Sequence, residues 1–272
     1  CGEGTQMQMA RSSVRPGTIS AVLITHFHGD HVNGLPGMLG SFTLNSREEP
    51  IDVIGPVGMK QWFTAMRELR ILWPSFPIRI KEVTEPGVVL EGDGYRIEAQ
   101  PLNHRITCWG YSYHEDPRPG RFDLETARSL NIPPGPQYGM LQRGESITLE
   151  DGTVISPDAV LGPSRPGLKV SYCTDTSHPC EGAMVLAHEA DLLIHEATYP
   201  AGEEKLAKKR GHSSAGDAAR CARDGGARKL ALTHISQKHR YLDIYEQGAE
   251  EIFGPTVVAR DLMELEVPRR ET

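Results

Sequence analysis

Short apolar runs alternate with longer amphipathic stretches along this chain, the pattern that a layered α/β fold requires. Residues 19–25 (ISAVLIT) are apolar nearly throughout, which predicts a buried strand, and they end on a cluster of histidines. A Gly/Pro-punctuated turn and helix (GLPGMLGS) come next, then a strand at IDVIG and a helix from about Gly58 to Leu69 with Trp62, Met66 and Leu69 near one face. Residues 94–102 (GYRIEAQPL) predict another strand, again ending at a histidine. Later the alternation runs strand LKVSYCT, helix Cys180 to Glu189, strand DLLIH, helix Ser213 to Asp224, strand KLALTH and helix Leu242 to Ile252, with closing strands near VVAR and MELEV. The strands SYCT, LLIH and LALTH each end on an Asp or His. Polar groups that finish apolar strands converge at one sheet edge, the usual place for a site in layered α/β proteins.

From Pro117 to Pro166 this rhythm stops. Pro, Gly and charged residues dominate (PRPGRF, IPPGPQYG, LQRGES, GPSRPG), and only ESITLE and TVI predict short strands. The segment reads as a loop-rich insertion and not as a second cored domain. The expected organisation is one domain over residues 1–272 with residues 117–166 inserted, a length at which α/β layering buries an ample core. The chain opens at Cys1 without a methionine, inside a strand-to-turn segment (CGEGTQ), so upstream strands are expected to lie outside this numbering.

Composition removes several classes. Hydrophobic content of 38% and charged content of 24% are ordinary for a globular protein, and the longest apolar runs (AVLI, DLLI) are too short to span a bilayer. Five scattered cysteines without a CxxC pair fit reduced thiols in a cytoplasmic protein better than a disulfide framework. A net charge of -7 argues against a surface that coats nucleic acid, so any RNA contact must be local.

The strongest chemical signal is His26-Phe27-His28-Gly29-Asp30-His31, directly after the first apolar run. Imidazole and carboxylate are ligands that zinc and similar ions prefer, and four such groups within six residues exceed what one mononuclear site takes from one loop. Two metal ions are therefore expected. The plainer alternative, a solvated His/Asp-rich turn, is a costly use of three histidines and a carboxylate packed behind an apolar strand.

This HxHxDH string resembles the signature of the metallo-β-lactamase superfamily. CGEGTQ (1–6), GLPGMLGS (34–41), IPPGPQYG (132–139), HEAT (195–198) and GHSSA (211–215) are similar, in that order and at similar intervals, to the ribonuclease Z family. The likeness covers essentially the whole chain, with two departures: the family's N-terminal strands are absent, and GHSSA replaces the more usual His-Ser-Thr. The resemblance implies an αββα sandwich with a protruding loop-rich arm and a dinuclear metal hydrolase that removes the 3′ trailer from precursor tRNA. It implies that His26, His28 and His104 hold one ion, that Asp30, His31 and His234 hold the other, and that Asp175 bridges them. For His104 by itself, a satisfied core histidine is an equal alternative. Zinc is the expected ion and manganese the other choice. Asp30 would orient or deprotonate the attacking water, His212 would protonate the leaving 3′ oxygen, and Glu196 would hold the His212 tautomer. Ser213 or Ser214 next to His212 also reads as a helix cap, and His195 as structural.

The arm, by the same resemblance, grips the tRNA. Arg118, Arg121, Arg128, Arg143 and Arg165 are candidate phosphate contacts, and Tyr138 a stacking or bracing ring. Asp123, Glu125 and Glu145 are interleaved among them, so a plain solvated excursion stays open. The family likeness also implies a homodimer. Competing functions are a small-molecule phosphodiesterase, thioesterase or lactonase on the same fold, and an inactive RNA-binding scaffold. Cys108 and Cys173 near His104 and Asp175 read as packing, not ligation.

Overall fold

The computed structural model describes residues 1–239 and 241–270. It contains two compact units, one built from residues 1–114 and 169–268, the other from residues 115–168 with Arg269 and Arg270.

The first unit begins with α1 (Thr5–Met9) and a small parallel sheet, β1 (Ala21–Leu23), β2 (Ile51–Pro56) and β3 (Ile78–Val83), in that order. Its helices are α2 (Gly29–Val32), α3 (Gly34–Leu44) and α4 (Met59–Glu68). Alternation along β2 sends Ile51 and Val53 to one face, where they pack with Leu35, Leu39 and Phe42 of α3 and Met59 and Phe63 of α4. Ile54 faces the other way and joins Val83, Val89, Ala99, Trp109 and Tyr111, the apolar layer between this sheet and the next. A strand buried on both faces reads as a continuous apolar run, which is why IDVIG is legible.

The second sheet starts with β4 (Gly87–Gly92), β5 (Tyr95–Leu102) and β6 (Cys108–Glu115). The chain then leaves for the second unit, which holds α5 (Leu124–Ser129), α6 (Pro136–Gln142) and a hairpin of β7 (Ile147–Thr148) and β8 (Val154–Ile155). On return it adds β9 (Lys169–Cys173), α7 (Glu181–Ala187), β10 (Leu192–Glu196), α8 (Glu204–Arg210), α9 (Ala215–Gly225), β11 (Leu230–Thr233), α10 (Asp243–Glu250) and β12 (Thr256–Val258). The seven strands run β12-β11-β10-β9-β6-β5-β4, parallel from β9 to β12 and antiparallel at β6/β9 and β4/β5. Leu193, Leu230, Leu232 and Val258 pack with Ala183 and Leu186 of α7, Ala218 and Ala222 of α9, and Tyr245 and Ala249 of α10. The layers are thus helix, sheet, sheet, helix, the αββα sandwich expected.

Several expectations need correction. The first strand is shorter than 19–25 because the chain after Leu23 turns towards the histidine cluster. Three strands were not foreseen: β3 and β4 carry charged or exposed residues among their apolar positions, and β6 mixes Gly and Ser into its run. The helix α8 (EKLAKKR) has one buried residue, Ala207, and so no apolar stripe to read. MELEV alternates but joins no ladder among the described residues. The inserted segment does have a core: Ala127, Ile132, Leu141, Ile147, Ile155 and Val160 cluster with Phe122 and Tyr138 packed on them. Scattered single apolar residues at Pro/Gly-rich spacing assemble there without any local periodicity.

Candidate metal centre

Five strand ends supply the site. After β1 the Ile24 N–H donates to the Ile54 carbonyl and the Trp109 N–H to the Thr25 carbonyl, which pins the chain before His26. His28 then precedes α2, whose single turn carries Asp30 and His31. His104 follows β5, Asp175 follows β9, Glu196 ends β10, and His234 follows β11. Registers that pair Cys173 with His195 and Glu196 with Thr233 put these last three ends side by side. His234 has φ of 56°, in the left-handed region that a non-glycine residue adopts only where surrounding structure holds it.

The donor atoms form two sets that share one carboxylate. His28 Nδ1 lies 3.1 Å from His26 Nε2 and 3.2 Å from His104 Nε2, and Asp175 Oδ2 lies 3.8 and 3.7 Å from the latter two. On the other side, His31 Nε2 is 3.3 Å from both Asp30 Oδ2 and Asp175 Oδ1, and His234 Nε2 is 3.4 Å from the same two oxygens. Ligands on one tetrahedral ion with bonds near 2 Å stand roughly 3.3 Å apart, so both sets have the span a divalent ion needs. The chemistry agrees: His31 Nε2 is buried with no hydrogen-bond partner, the state of an atom that awaits a ligand.

Contacts behind the rings aim the lone pairs. The Gly211 carbonyl accepts from His104 Nδ1 at 2.8 Å, which leaves Nε2 bare towards the centre. His26 Nδ1 meets Thr25 Oγ1 at 3.1 Å and Cys108 Sγ at 3.5 Å. Cys108 therefore sits behind the ring, consistent with packing and not ligation. Burial, with His31, His104 and His28 nearby, pushes the fully buried His26 down to about 3 against the pull of Asp175. Burial is also the largest cause of the lowered values at His31 and His104, so all three rings are neutral, as ligation demands. Burial by itself would raise Asp175, but His234, His31, His26 and His212 hold it below the usual carboxylate value.

Beside the two sets lies a third group. His212 Nδ1 is 3.0 Å from Glu196 Oε1 and 3.8 Å from Asp175 Oδ2. Glu196 is fully buried, and its oxygens also accept from the Thr176 N–H at 2.9 Å, the Thr198 N–H at 3.0 Å and the Thr198 hydroxyl at 2.8 Å. Because an ionised carboxylate only accepts, His212 must donate through Nδ1, which leaves Nε2 for chemistry. Burial opposes protonation of His212, yet the hydrogen bond and charge of Glu196, with the charge of Asp175, raise it above the ordinary histidine value. Ser214 does cap α9, in a reciprocal pair with Asp217, so the capping role and the His212 contact coexist.

All seven expected ligands, with His212 and Glu196, are thus brought together. His195 points elsewhere: it is buried, and its Nδ1 meets the Glu196 carbonyl at 2.7 Å. Thr198 was missed by residue type, although it closes the HEAT string, since no spacing rule marks a hydroxyl as a link between histidines. Within the second unit, Arg121, Arg128 and Arg143 are exposed, Arg143 pairs with Glu145 at 2.8 Å, and Arg118 and Arg165 face each other across an antiparallel bridge. Tyr138 rests on Phe122 with ring centres 4.8 Å apart and donates to the Ile132 carbonyl at 3.2 Å, so its contacts are those of a brace.

Comparison with known proteins agrees with this site. The metallo-beta-lactamase superfamily model matches residues 1–234. A ribonuclease Z from Nostoc sp. is 43% identical over 275 residues, covering 99% of this chain and 85% of that protein. A ribonuclease Z from Myxococcus xanthus is 43% identical over 273 residues, covering 100% and 88%. The crystal structure of the short form of human tRNase Z superposes with a TM-score of 0.66 at 26% identity, over 98% of this chain and 86% of that one. With the superfamily's layers, its histidine string and this degree of identity together, the chain belongs to the ribonuclease Z family of the metallo-β-lactamase superfamily.

Proposed function

We propose that this protein is an endoribonuclease that hydrolyses the phosphodiester joining a tRNA to its 3′ trailer and leaves a 3′-hydroxyl on the tRNA. The observation that carries this reading is the convergence of two three-residue donor sets on Asp175, with the His212–Glu196 pair beside them. His26, His28 and His104 would hold one divalent ion and Asp30, His31 and His234 the second, with one Asp175 oxygen for each. Nitrogen-rich sets with carboxylate favour zinc, and manganese is the alternative. Ions bound there would acidify a water and neutralise charge on the scissile phosphate. Asp30, whose side chain is 61% exposed, would orient that water or take its proton. Glu196 holds the Nδ1 proton of His212, and the protonated ring gives its Nε2 proton to the leaving 3′ oxygen.

The second unit supports RNA contact weakly by charge, since six acidic residues offset five arginines between Pro117 and Pro166. Arg118, Arg121, Arg128, Arg143 and Arg165 are the side chains through which it would meet phosphates, with Tyr138 bracing them. We place the protein in the cytoplasm as a homodimer: its cysteines are free and four of the five buried, and Leu69, Ile71 and Trp73 form an exposed apolar run suited to self-association. Among the described residues no helix is long and apolar enough to cross a membrane. Metal analysis tests the centre. About two divalent ions per chain are expected, and a chelator should abolish hydrolysis of an activated phosphodiester. Full hydrolysis by protein stripped of metal would remove the centre from the reaction.

A further inference from the structure

One hydroxyl touches both halves of the site. Thr198 Oγ1 donates to Glu196 Oε2 at 2.8 Å, stands 2.9 Å from His234 Nδ1, and lies 3.2 Å from His212 Nδ1. A threonine hydroxyl has one proton and two lone pairs. Glu196 is an acceptor only, so the Thr198 proton goes there, and His234 Nδ1 must be the donor in its own contact. That assignment forces the His234 tautomer whose Nε2 is a bare lone pair, and this is the atom that lies 3.4 Å from Asp30 Oδ2 and Asp175 Oδ1. The hydroxyl is itself well anchored. The Thr198 N–H donates to Glu196 Oε2 at 3.0 Å, and the Thr198 carbonyl accepts from the hydroxyl of buried Tyr245 at 3.1 Å. His234 needs such a partner, because it leaves β11 with a positive φ and its side chain is 26% exposed, against 0% for His26, 9% for His31 and 1% for His104. Burial holds the His26 and His104 rings in place, whereas His234 depends more on what grips its far nitrogen.

We propose that Thr198 is a positioning residue that fixes the tautomer and aim of His234 while holding Glu196 on His212, so that one hydroxyl ties the second metal position to the proton donor. The inference rests on the ligand set given under Proposed function. Its consequence is selective: loss of the hydroxyl weakens the ion at Asp30, His31 and His234 and leaves the ion at His26, His28 and His104 in place.

The test is competitive zinc titration of the full chain against a chromophoric chelator, for the parent, Thr198→Val and Thr198→Ser, with the melting temperature of each metal-free protein measured alongside. Valine keeps the shape and removes the hydroxyl; serine keeps the hydroxyl and removes the methyl. The parent should bind two zinc ions. In Thr198→Val one of the two should weaken by about 10- to 100-fold, the usual effect of removing the partner of a ligating histidine, and Thr198→Ser should bind both like the parent. If the valine variant proves unfolded, the serine variant and an Asn substitution at Thr198, which also presents an acceptor, carry the comparison: near-parental second-site affinity in either supports the role, and loss in both overturns it. Equal zinc affinities in the parent and in folded Thr198→Val overturn the inference and leave the ligand set standing. A parent that binds no zinc refutes the ligand set itself.

Discussion

Glu196→Gln is the substitution whose cost follows most fully from the geometry. Four donors converge on the two carboxylate oxygens: the Thr176 N–H and His212 Nδ1 on Oε1, the Thr198 N–H and hydroxyl on Oε2. A glutamine amide keeps one oxygen and puts an NH2 where the other stood. Whichever way it turns, one fixed backbone N–H then faces another donor inside the protein. A buried donor without an acceptor costs about 1–3 kcal/mol, and hydrogen bonds to a charged acceptor, worth roughly twice neutral ones, become neutral. Relief of the carboxylate's own desolvation offsets part of this, which leaves a destabilisation of about 2–4 kcal/mol. At roughly 2–4 °C per kcal/mol for a chain of this size, the metal-free variant should melt about 5–15 °C lower. Turnover on RNA should fall by roughly 10² to 10⁴, because His212 loses the acceptor that sets its tautomer. His212→Ala is the control. Its side chain is 18% exposed, so it should share the kinetic loss with a much smaller loss of stability, and it should spare a nitrophenyl diester whose leaving group needs no proton. A Glu196→Gln variant that melts with the parent and turns over RNA at the parental rate would refute this reading of the buried carboxylate.

Three other outcomes follow from the same contacts. His26→Ala or Asp175→Ala should lower metal content and activity together, Asp175→Ala more, since that side chain faces both donor sets; a variant with full metal content and full turnover contradicts the assignment. Metal-free protein should lose stability as pH falls from about 6.5, where unfolded His26 begins to bind a proton, to about 3, where the buried native ring does. His31 and His104, lowered by burial, act in the same sense, whereas His212, raised in the native state, acts in the opposite one, so three groups outweigh one and the net effect of acidification between pH 7 and 5 is a loss; a denaturation midpoint that holds or rises on acidification contradicts it. Replacing residues 117–166 with a short Gly/Ser bridge should keep hydrolysis of a small phosphodiester and weaken precursor tRNA binding, measured by filter retention over a salt series; unchanged tRNA binding removes the second unit as an RNA contact.

Much of the site was legible because its ligands are punctuation at the ends of apolar strands. His26 to His31 follow ISAVLIT, Asp175 follows SYCT and His234 closes LALTH, and each run is apolar enough in sequence to be read without its neighbours. His104 was harder, since the strand it follows alternates with charged residues and its partner is a backbone carbonyl at Gly211. Thr198 and Thr25 were not legible at all, because a hydroxyl's role depends on which ring stands behind it in space. The same holds for the fold. The edge strands β3 and β4 owe their place to pairing across the sheet, not to a strong run of their own, and the core of residues 115–168 forms from apolar residues spaced by turns. The left-handed backbone at His234 has no mark in the sequence, where Asn or Gly would have flagged it.

The most direct measurement is to incubate the metal-loaded protein with a tRNA transcript that carries a 3′ extension and to map the ends of both products. A single cut at the trailer junction is expected, with a 3′-hydroxyl on the tRNA and a 5′-phosphate on the trailer, abolished by a chelator and by His26→Ala. Protein that holds its metal ions, hydrolyses a small phosphodiester and leaves the extended tRNA intact would contradict the proposed function.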